Sequence, residues 1–149
     1  MGKNRAQFIV AVHIVLQQGD SVLLLKRQKT GYGDGLFSVP AGHVEFGESI
    51  IAAARRELEE ETGLLVPESE FEQVHVMNRR NPKEGEDRID FFFRVISWEG
   101  EPTNAEPDKC SELVWVSLDA VAEELIVPYI KFGLQAVAAN QQYSCFTEP

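Results

Sequence analysis

The sequence predicts one domain of the α+β or mixed-sheet α/β class, and three observations support this assignment. Segments rich in β-branched and aromatic residues recur along the chain, helical periodicity is confined to two or three stretches, and strands and helices do not alternate regularly. The chain has 149 residues, of which 44% are hydrophobic, so it can bury one continuous core but not two comfortable ones. We therefore expect residues 1–149 to form a single domain.

The N-terminal part of the chain predicts a β-hairpin followed by a glycine-rich loop. Residues 8–16 (FIVAVHIVL) and 22–27 (VLLLKR) have the composition of strands, and turn residues separate them at 18–20. His13 lies within the first strand, where we expect a hydrogen-bonded histidine on a sheet face rather than a catalytic one. The loop at 30–35 (TGYGDG) has three glycines, so it is either a mobile cover over a substrate or a plain connection.

The later strands are separated by turns and polar loops. Composition and alternation predict strands at 36–39, 71–79, 88–98 and 113–116, with a polar tip at 81–87. The last third of the chain then becomes helical.

Two helices are expected near the C-terminal end. A short one is predicted around 118–125, and Pro128 opens a second helix at about 128–140, whose apolar side chains should cover the sheet. Residues 143–149 are expected to be frayed.

The stretch at residues 42–64 organises the rest of the sequence. Ile51, Ala54 and Leu58 recur at helical spacing, and Gly63 occupies the position where a left-handed residue ends a helix. We therefore expect a helix whose apolar stripe faces the core.

Three carboxylates lie together on one stripe of this predicted helix. Glu57, Glu60 and Glu61 stand at i, i+3 and i+4, near the helix C-terminus, where each anion destabilises the helix by about 0.3–1 kcal/mol. A divalent cation bound among them would remove that repulsion, and an all-oxygen site suits Mg²⁺ or Mn²⁺. The pattern thus indicates a metal site rather than a helix selected for stability alone.

The whole stretch resembles a known motif. It reads Gly42, five residues, Glu48, seven residues, Arg56-Glu57-Leu58, one residue, Glu60-Glu61, one residue, Gly63-Leu64. This pattern resembles the Nudix box at every defined position, and the sequence is similar to MutT-type members of the Nudix hydrolase superfamily. The resemblance implies the Nudix fold, in which a mixed β-sheet is sandwiched between helices.

The resemblance also implies an activity. Nudix hydrolases cleave a phosphoric anhydride in a nucleoside diphosphate linked to another moiety, with Mg²⁺ (or Mn²⁺) as cofactor. Conversion of a (d)NTP to NMP and pyrophosphate is the favoured reaction here. An ADP-ribose or nucleotide-sugar pyrophosphatase and a non-catalytic, nucleotide-sensing Nudix module are the alternatives.

Metal ligands follow from the resemblance. Glu57, Glu60 and Glu61 are the implied ligands, joined by the backbone carbonyl of Ala41 or Gly42. Glu57 and Glu60 are therefore counted as catalytic residues too.

Family members differ in the general base, which is either a box glutamate or a carboxylate in a later loop. The register of the resemblance makes Glu106 the first candidate in that loop, followed by Glu112 and Asp108. The resemblance further implies that Arg56 orients a box glutamate, so we include it among the catalytic candidates.

Substrate-binding residues are expected around the glycine-rich loop and the strand ends. Arg27, at the mouth of the loop, and Arg79, at a strand end, are candidates for binding phosphates. Tyr32 and Phe37 are candidates for stacking on a base, although aromatic side chains in strands are more often part of the core.

Charge and cysteine usage restrict the partners. The net charge of −10 argues against binding of polymeric nucleic acid and favours a small phosphate ester held through a metal ion. The resemblance implies that this ligand is a small-molecule nucleotide substrate. Cys110 and Cys145 have neither zinc nor disulfide-scaffold spacing, so reduced thiols are expected. No segment approaches 18 apolar residues, so we expect a cytoplasmic protein that does not bind membranes. The oligomeric state is open, and a homodimer is compatible with the sequence.

Overall fold

The computed structural model describes residues 3–149. The elements follow in the order β1 (Ile9–Gln18), β2 (Ser21–Arg27), β3 (Phe37–Ser38), β4 (Ala41–His43), α1 (Ile50–Thr62), β5 (Glu72–Arg80), β6 (Arg88–Val95), β7 (Cys110–Ser117), α2 (Pro128–Ala138) and β8 (Tyr143–Thr147), with 3₁₀ turns at Glu68–Glu70 and Leu118–Glu123. In the described part of the chain, no helix has the length and apolar character needed to cross a membrane.

The strands form a mixed sheet in the order β3-β2-β1-β6-β5-β8, with β4 added to β1 and β7 added to β2. The predicted hairpin of β1 and β2 is confirmed, but it pairs only next to its turn, Gln17 with Val22 and Gln18 with Ser21. Beyond the turn the two strands separate. β1 continues as a partner of β4 and, in parallel register, of β6, whereas β2 pairs with β3 and β7.

Both faces of the sheet are buried, each under one helix. Because successive side chains of a strand point to opposite faces, Val15 and Phe92 pack with α2, while their neighbours Ile14 and Phe93 pack with α1. α2 approaches the sheet very closely at Gly133, where an added Cβ would lie 2.4 Å from the Phe92 Cζ atom. The predicted mixed sheet between helices is confirmed.

α1 begins and ends at the residues that local chemistry favours. The Ser49 side chain accepts a hydrogen bond from the Ala52 N–H at 3.1 Å, and Gly63 adopts a φ of 75° after the last turn. The predicted C-terminal helix is likewise found, as α2.

The expectation that residues 143–149 are frayed is wrong. Tyr143–Thr147 forms strand β8, which lies parallel to β5 at the edge of the sheet. His75 of β5, fully buried, holds it in place: its Nδ1 is 2.6 Å from the Gln141 carbonyl and its Nε2 is 2.7 Å from the Ser144 hydroxyl. A five-residue strand with little periodicity is stable here because β5 offers an open edge and a hydrogen-bonding partner.

Smaller differences concern element ends and the cysteines. β6 ends at Val95 rather than at residue 98, and β7 begins at Cys110 rather than at residue 113. Cys110 is buried and Cys145 is exposed, and both are free thiols, as expected.

Candidate active site

A cavity of about 870 Å³ opens where β1 and β2 separate, and it is bordered by β4, α1, the glycine-rich loop and the loop before β7. It gathers most of the predicted site residues. Those that line it are Arg27, Tyr32, Ala41, Gly42, Arg56, Glu57, Glu60, Glu61, Arg79 and Glu106. Phe37 is the exception and packs against the core beside α2 instead.

Two of the three box glutamates lie against the backbone of β4. Glu61 Oε2 accepts a hydrogen bond from the Ala41 N–H at 2.9 Å. Glu57 lies so close to Gly42 that an added Cβ there would be 2.0 Å from Glu57 Oε1. A glycine at position 42 is therefore required for the Glu57 carboxylate to reach the cavity beside Glu61.

The two carboxylates are partly buried near one another, and the pKa of each is raised as a result. Burial and the charge of Glu57 raise the pKa of Glu61 well above its usual value. Burial also raises the pKa of Glu57, although Arg56 opposes this. The negative charge of the pair is thus only partly compensated by protein groups.

Arg56 is the cation of this region and is shared among several acids. It makes two hydrogen bonds to Glu48, at 2.7 and 3.1 Å, and one to Glu57 at 2.8 Å. Its Nη2 also donates to the His43 carbonyl at 3.0 Å. These contacts fix the rotamer of Arg56 and orient Glu57 towards β4.

Glu60 lies apart from the other two box glutamates. Its side chain is 51% exposed and contacts Arg56 at 3.3 Å, whereas Glu57 and Glu61 face β4. Among the residues that the structure describes, no three Asp, Glu, His or Cys side chains are gathered in a metal-chelating arrangement. The structure brings together Glu57 and Glu61 but not the complete predicted triad.

The donor set nevertheless suits a divalent cation. Glu57 and Glu61 supply carboxylate oxygens, and Glu60 and the β4 residues Ala41 and Gly42 line the same cavity. Gly42 leaves the space beside Glu57 that any other residue would fill. Mg²⁺ needs few protein carboxylates because it keeps several of its waters, so these residues fit it.

Of the three late-loop candidates, only Glu106 reaches the cavity. Its charge contributes to the raised pKa of Glu61, after burial and Glu57. Its backbone carbonyl accepts the N–H groups of Lys109 and Cys110, which closes a turn and holds the side chain near α1. Glu112 instead pairs with Lys26 at 3.7 Å, outside the cavity.

The glycine-rich loop is closed by its own hydrogen bonds. Arg27 donates to the Tyr32 carbonyl at 2.7 Å and to the Thr30 hydroxyl at 3.0 Å, and Asp34 accepts the N–H groups of Thr30 and Gly31. The Tyr32 ring is 48% exposed, and its centroid lies 5.6 Å from the Arg27 Cζ atom. The loop therefore carries an accessible aromatic ring and a cation at the cavity mouth.

Arg79 has different surroundings from those predicted for a phosphate ligand. It is 7% exposed and donates to both oxygens of the fully buried Asp90, at 2.8 and 3.2 Å. Its guanidinium lies 3.6 Å from the centroid of the Tyr129 ring. Asp90 neutralises the charge of Arg79, so this arginine forms part of the cavity floor.

His13, as predicted, is a buried histidine of the sheet, and it also borders the cavity. Its Nε2 lies 3.1 Å from the Tyr129 hydroxyl, and its ring stacks on Phe92 at 4.7 Å between centroids. Burial lowers the pKa of His13 to about 4, against the opposing effect of Asp90. The Nδ1 atom has no hydrogen-bond partner within the described chain.

Sequence reasoning missed several cavity residues, namely His43, Arg88, Tyr129 and Glu148. One signal bears on Arg79, which contacts Tyr129 and Glu148 of this set. Asp90 is the only acidic residue of the apolar strand RIDFFFRV, and a buried carboxylate requires a cation from a neighbouring strand. Glu148 itself had no such signal, because it reaches the cavity only through β8.

Comparisons with known proteins agree with the geometry. A family model described as NUDIX domain matches residues 7–132. The ADP-ribose pyrophosphatase of Methanocaldococcus jannaschii is 34% identical over 90 residues, which are 60% of this chain and 53% of that protein. The human m7GpppN-mRNA hydrolase NUDT17 is 30% identical over 130 residues, covering 76% of this chain and 39% of that protein. The chain thus spans about half or less of the length of these two relatives.

Solved structures show the same architecture. The crystal structure of a MutT NUDIX hydrolase from Burkholderia pseudomallei superposes with a TM-score of 0.75 at 26% identity, covering 87% of this chain and 98% of that one. The similarity therefore extends over most of the fold.

Proposed function

The chain belongs to the NUDIX domain family, and from this membership we propose that it hydrolyses a phosphoric anhydride in a nucleotide with the help of Mg²⁺. The favoured reaction converts a (d)NTP to NMP and pyrophosphate. The observation that supports it most directly is the pair of partly buried carboxylates, Glu57 and Glu61, held against β4 where they line the cavity.

Several residues would hold the metal at this position. Glu57, Glu60 and Glu61, with the backbone carbonyl of Ala41 or Gly42, provide hard oxygen ligands. When bound, Mg²⁺ would supply neutralisation of the phosphate oxygens and a lowered pKa of an attacking water. Arg56 keeps Glu57 in the orientation that points its carboxylate at this position.

The remaining steps use groups of this chain. Water attacks one phosphorus of the α–β anhydride, the P–O bond on its other side breaks, and the bonding electrons leave with the departing group, which is pyrophosphate or NMP. Glu106 takes the proton of the water, because it is the late-loop carboxylate that lines the cavity beside Glu61. Arg27 binds phosphate oxygens at the cavity mouth, and Tyr32 stacks on the nucleobase.

A second candidate function is hydrolysis of ADP-ribose or a nucleotide sugar. It is favoured by one observation, the 34% identity to a protein named ADP-ribose pyrophosphatase. The same metal site would serve both reactions, since both cleave a diphosphate linkage.

The decisive experiment is a panel of nucleotides assayed with Mg²⁺ and with EDTA, with products identified by their phosphate count. We expect release of pyrophosphate and NMP from a (d)NTP, only in the presence of metal. Release of AMP and ribose 5-phosphate from ADP-ribose alone would favour the second candidate. Nucleotide binding without turnover of any substrate would overturn both and leave a nucleotide-sensing module.

A further inference from the structure

Glu148 reaches the cavity because the C-terminal segment adds a strand to the sheet. Its backbone N–H donates to the Arg80 carbonyl at 2.8 Å, which continues the pairing of β8 with β5. The side chain turns inward, is only 17% exposed and lines the cavity. A carboxylate beside Arg79 is thus added to the cavity that the box glutamates line.

This carboxylate has little compensation from the protein. Arg79 is the nearest cation, at 3.5 Å between Nη1 and Glu148 Oε1, and its other two donors are used by Asp90. In the described chain, Glu148 Oε2 receives no hydrogen bond. Two carboxylates share one guanidinium here, so this wall repels phosphate and attracts groups that donate hydrogen bonds.

An aromatic ring lines the same cavity as the carboxylate. Tyr32 and Glu148 are both lining residues, and the negative charge of Glu148 adds to the rise that burial causes in the pKa of Tyr32. The Tyr32 ring is half exposed at the cavity mouth. An exposed aromatic ring beside a hydrogen-bond acceptor is the usual means of binding a base by stacking and by its polar edge.

We propose that Glu148 is a specificity residue of the nucleotide site and that its carboxylate accepts hydrogen bonds from two neighbouring donors of the ligand. Two parts of a nucleotide offer such a pair: the N1–H and 2-amino groups of guanine, and the two hydroxyls of ribose. Adenine presents a donor beside an acceptor and does not match. The inference rests on the proposed function, since it takes the ligand to be a nucleotide.

Hydrolysis by the wild type and by Glu148→Gln tests the inference with two pairs of substrates. GTP against ITP isolates the 2-amino group, and ATP against dATP isolates the 2′-hydroxyl. We expect the wild type to prefer one member of at least one pair by about tenfold to a hundredfold in kcat/KM, the usual effect of a hydrogen bond to a charged group. Glu148→Gln should bring that ratio close to one, mainly by raising the KM for the preferred substrate.

Glu123→Gln is the matched control. It makes the same charge change at an exposed position that does not line the cavity, so its ratios should equal those of the wild type. If Glu148→Gln slows all four substrates equally, its role is structural and the inference is overturned. The inference is also overturned if Glu148→Gln leaves the kcat/KM values, and their ratio within each substrate pair, the same as in the wild type.

Binding without turnover separates this inference from the proposed function. Calorimetry with GMP, IMP, AMP and dAMP in EDTA requires no catalysis. Glu148-dependent discrimination among these monophosphates in a protein that hydrolyses nothing would support the inference and overturn the proposed function. Hydrolysis without any Glu148-dependent discrimination would support the proposed function and overturn the inference.

Discussion

Two arginine-centred clusters border the same cavity and differ in their charge balance. The box cluster consists of Arg56 with Glu48, Glu57, Glu60 and Glu61. The floor cluster consists of Arg79 with His13, Asp90, Tyr129 and Glu148. Each has a single guanidinium held by at least two acidic side chains.

In the box cluster, acids outnumber the cation and remain partly accessible. The Arg56 side chain is 25% exposed and Glu60 is 51% exposed, so solvent or a ligand can reach the excess negative charge. In the floor cluster, Arg79 and Asp90 form a close pair at 9% and 0% exposure. The uncompensated charge of the box cluster thus lies where the proposed cation would bind, while the compensated Arg79–Asp90 pair supports the cavity from below.

The largest effect should come from removing a charge of the box cluster. Glu57→Gln and Glu60→Gln should each lower kcat/KM by at least about a thousandfold, because metal-assisted stabilisation is worth several kcal/mol. The melting temperature should not fall, since the change removes an anion from the C-terminal half of α1. Steady-state kinetics and thermal unfolding measure the two effects.

Glu59→Gln provides the control for this prediction. Glu59 is an exposed residue of the same helix that does not line the cavity, so its variant should keep full activity. Equal loss of activity in Glu59→Gln and Glu57→Gln would contradict a localised metal site.

Breaking the floor cluster should affect stability instead. Arg79→Met leaves Asp90 buried without its partner, and we expect the free energy of unfolding in urea to fall by about 3–5 kcal/mol. Arg94→Met removes an exposed ion pair with Glu72 on the same sheet. This variant should change the free energy of unfolding by less than about 1 kcal/mol. Similar losses of unfolding free energy in Arg79→Met and Arg94→Met would mean that the buried Arg79–Asp90 pair stabilises the fold no more than an exposed pair does.

The floor cluster should also make stability depend on pH through His13. Its pKa is lowered from 6.5 to about 4 in the folded protein, where it faces Asp90, Arg79 and His43. The unfolded chain therefore binds the proton more readily, and stability that is complete above pH 6.5 is lost as the pH falls towards 4. From pH 7 to pH 5 this contributes a loss of about 2 kcal/mol.

Urea unfolding at both pH values checks this prediction. His13→Gln should show a smaller loss between pH 7 and pH 5 than the wild type, because glutamine does not titrate. A loss of equal size in the variant would assign the pH dependence to other groups.

The smallest expected effect is stabilisation of the box cluster by metal. Mg²⁺ at about ten times its Kd should raise the free energy of unfolding by about 1.4 kcal/mol, or the melting temperature by roughly 3–6 °C. Glu57→Gln should lose this rise and Glu59→Gln should keep it. An equal rise in both variants would indicate that Mg²⁺ binds elsewhere.

Local sequence predicted the box cluster well. The spacing of residues 42–64 predicted α1, its glycine stop and the resemblance to the Nudix box, which the family match confirms. This was achievable because helix periodicity, capping and the position of side chains on one helix face depend on neighbours within a few residues. The same reasoning did not reveal that Glu60 turns to Arg56 while Glu57 and Glu61 meet β4.

The floor cluster was not predictable in the same way. His13 and Tyr129 are 116 positions apart. Arg79 is predicted to bind phosphate because it lies at a strand end, but its partner in the structure is the buried Asp90 of another strand. Phe37 looked like an aromatic ligand of the base, yet it packs in the core. The tail appeared frayed, yet β8 forms because β5 has a free edge for it.

Local spacing in the chain predicts the acidic helix, and the resemblance of residues 42–64 to the Nudix box indicates the fold and the family. The three-dimensional arrangement sets which carboxylates meet and which cation is neutralised, and it brings Glu148 to the cavity. The physical reason is that charge compensation and burial depend on distance in space, and the pairing of strands sets that distance without leaving a periodic trace in the chain.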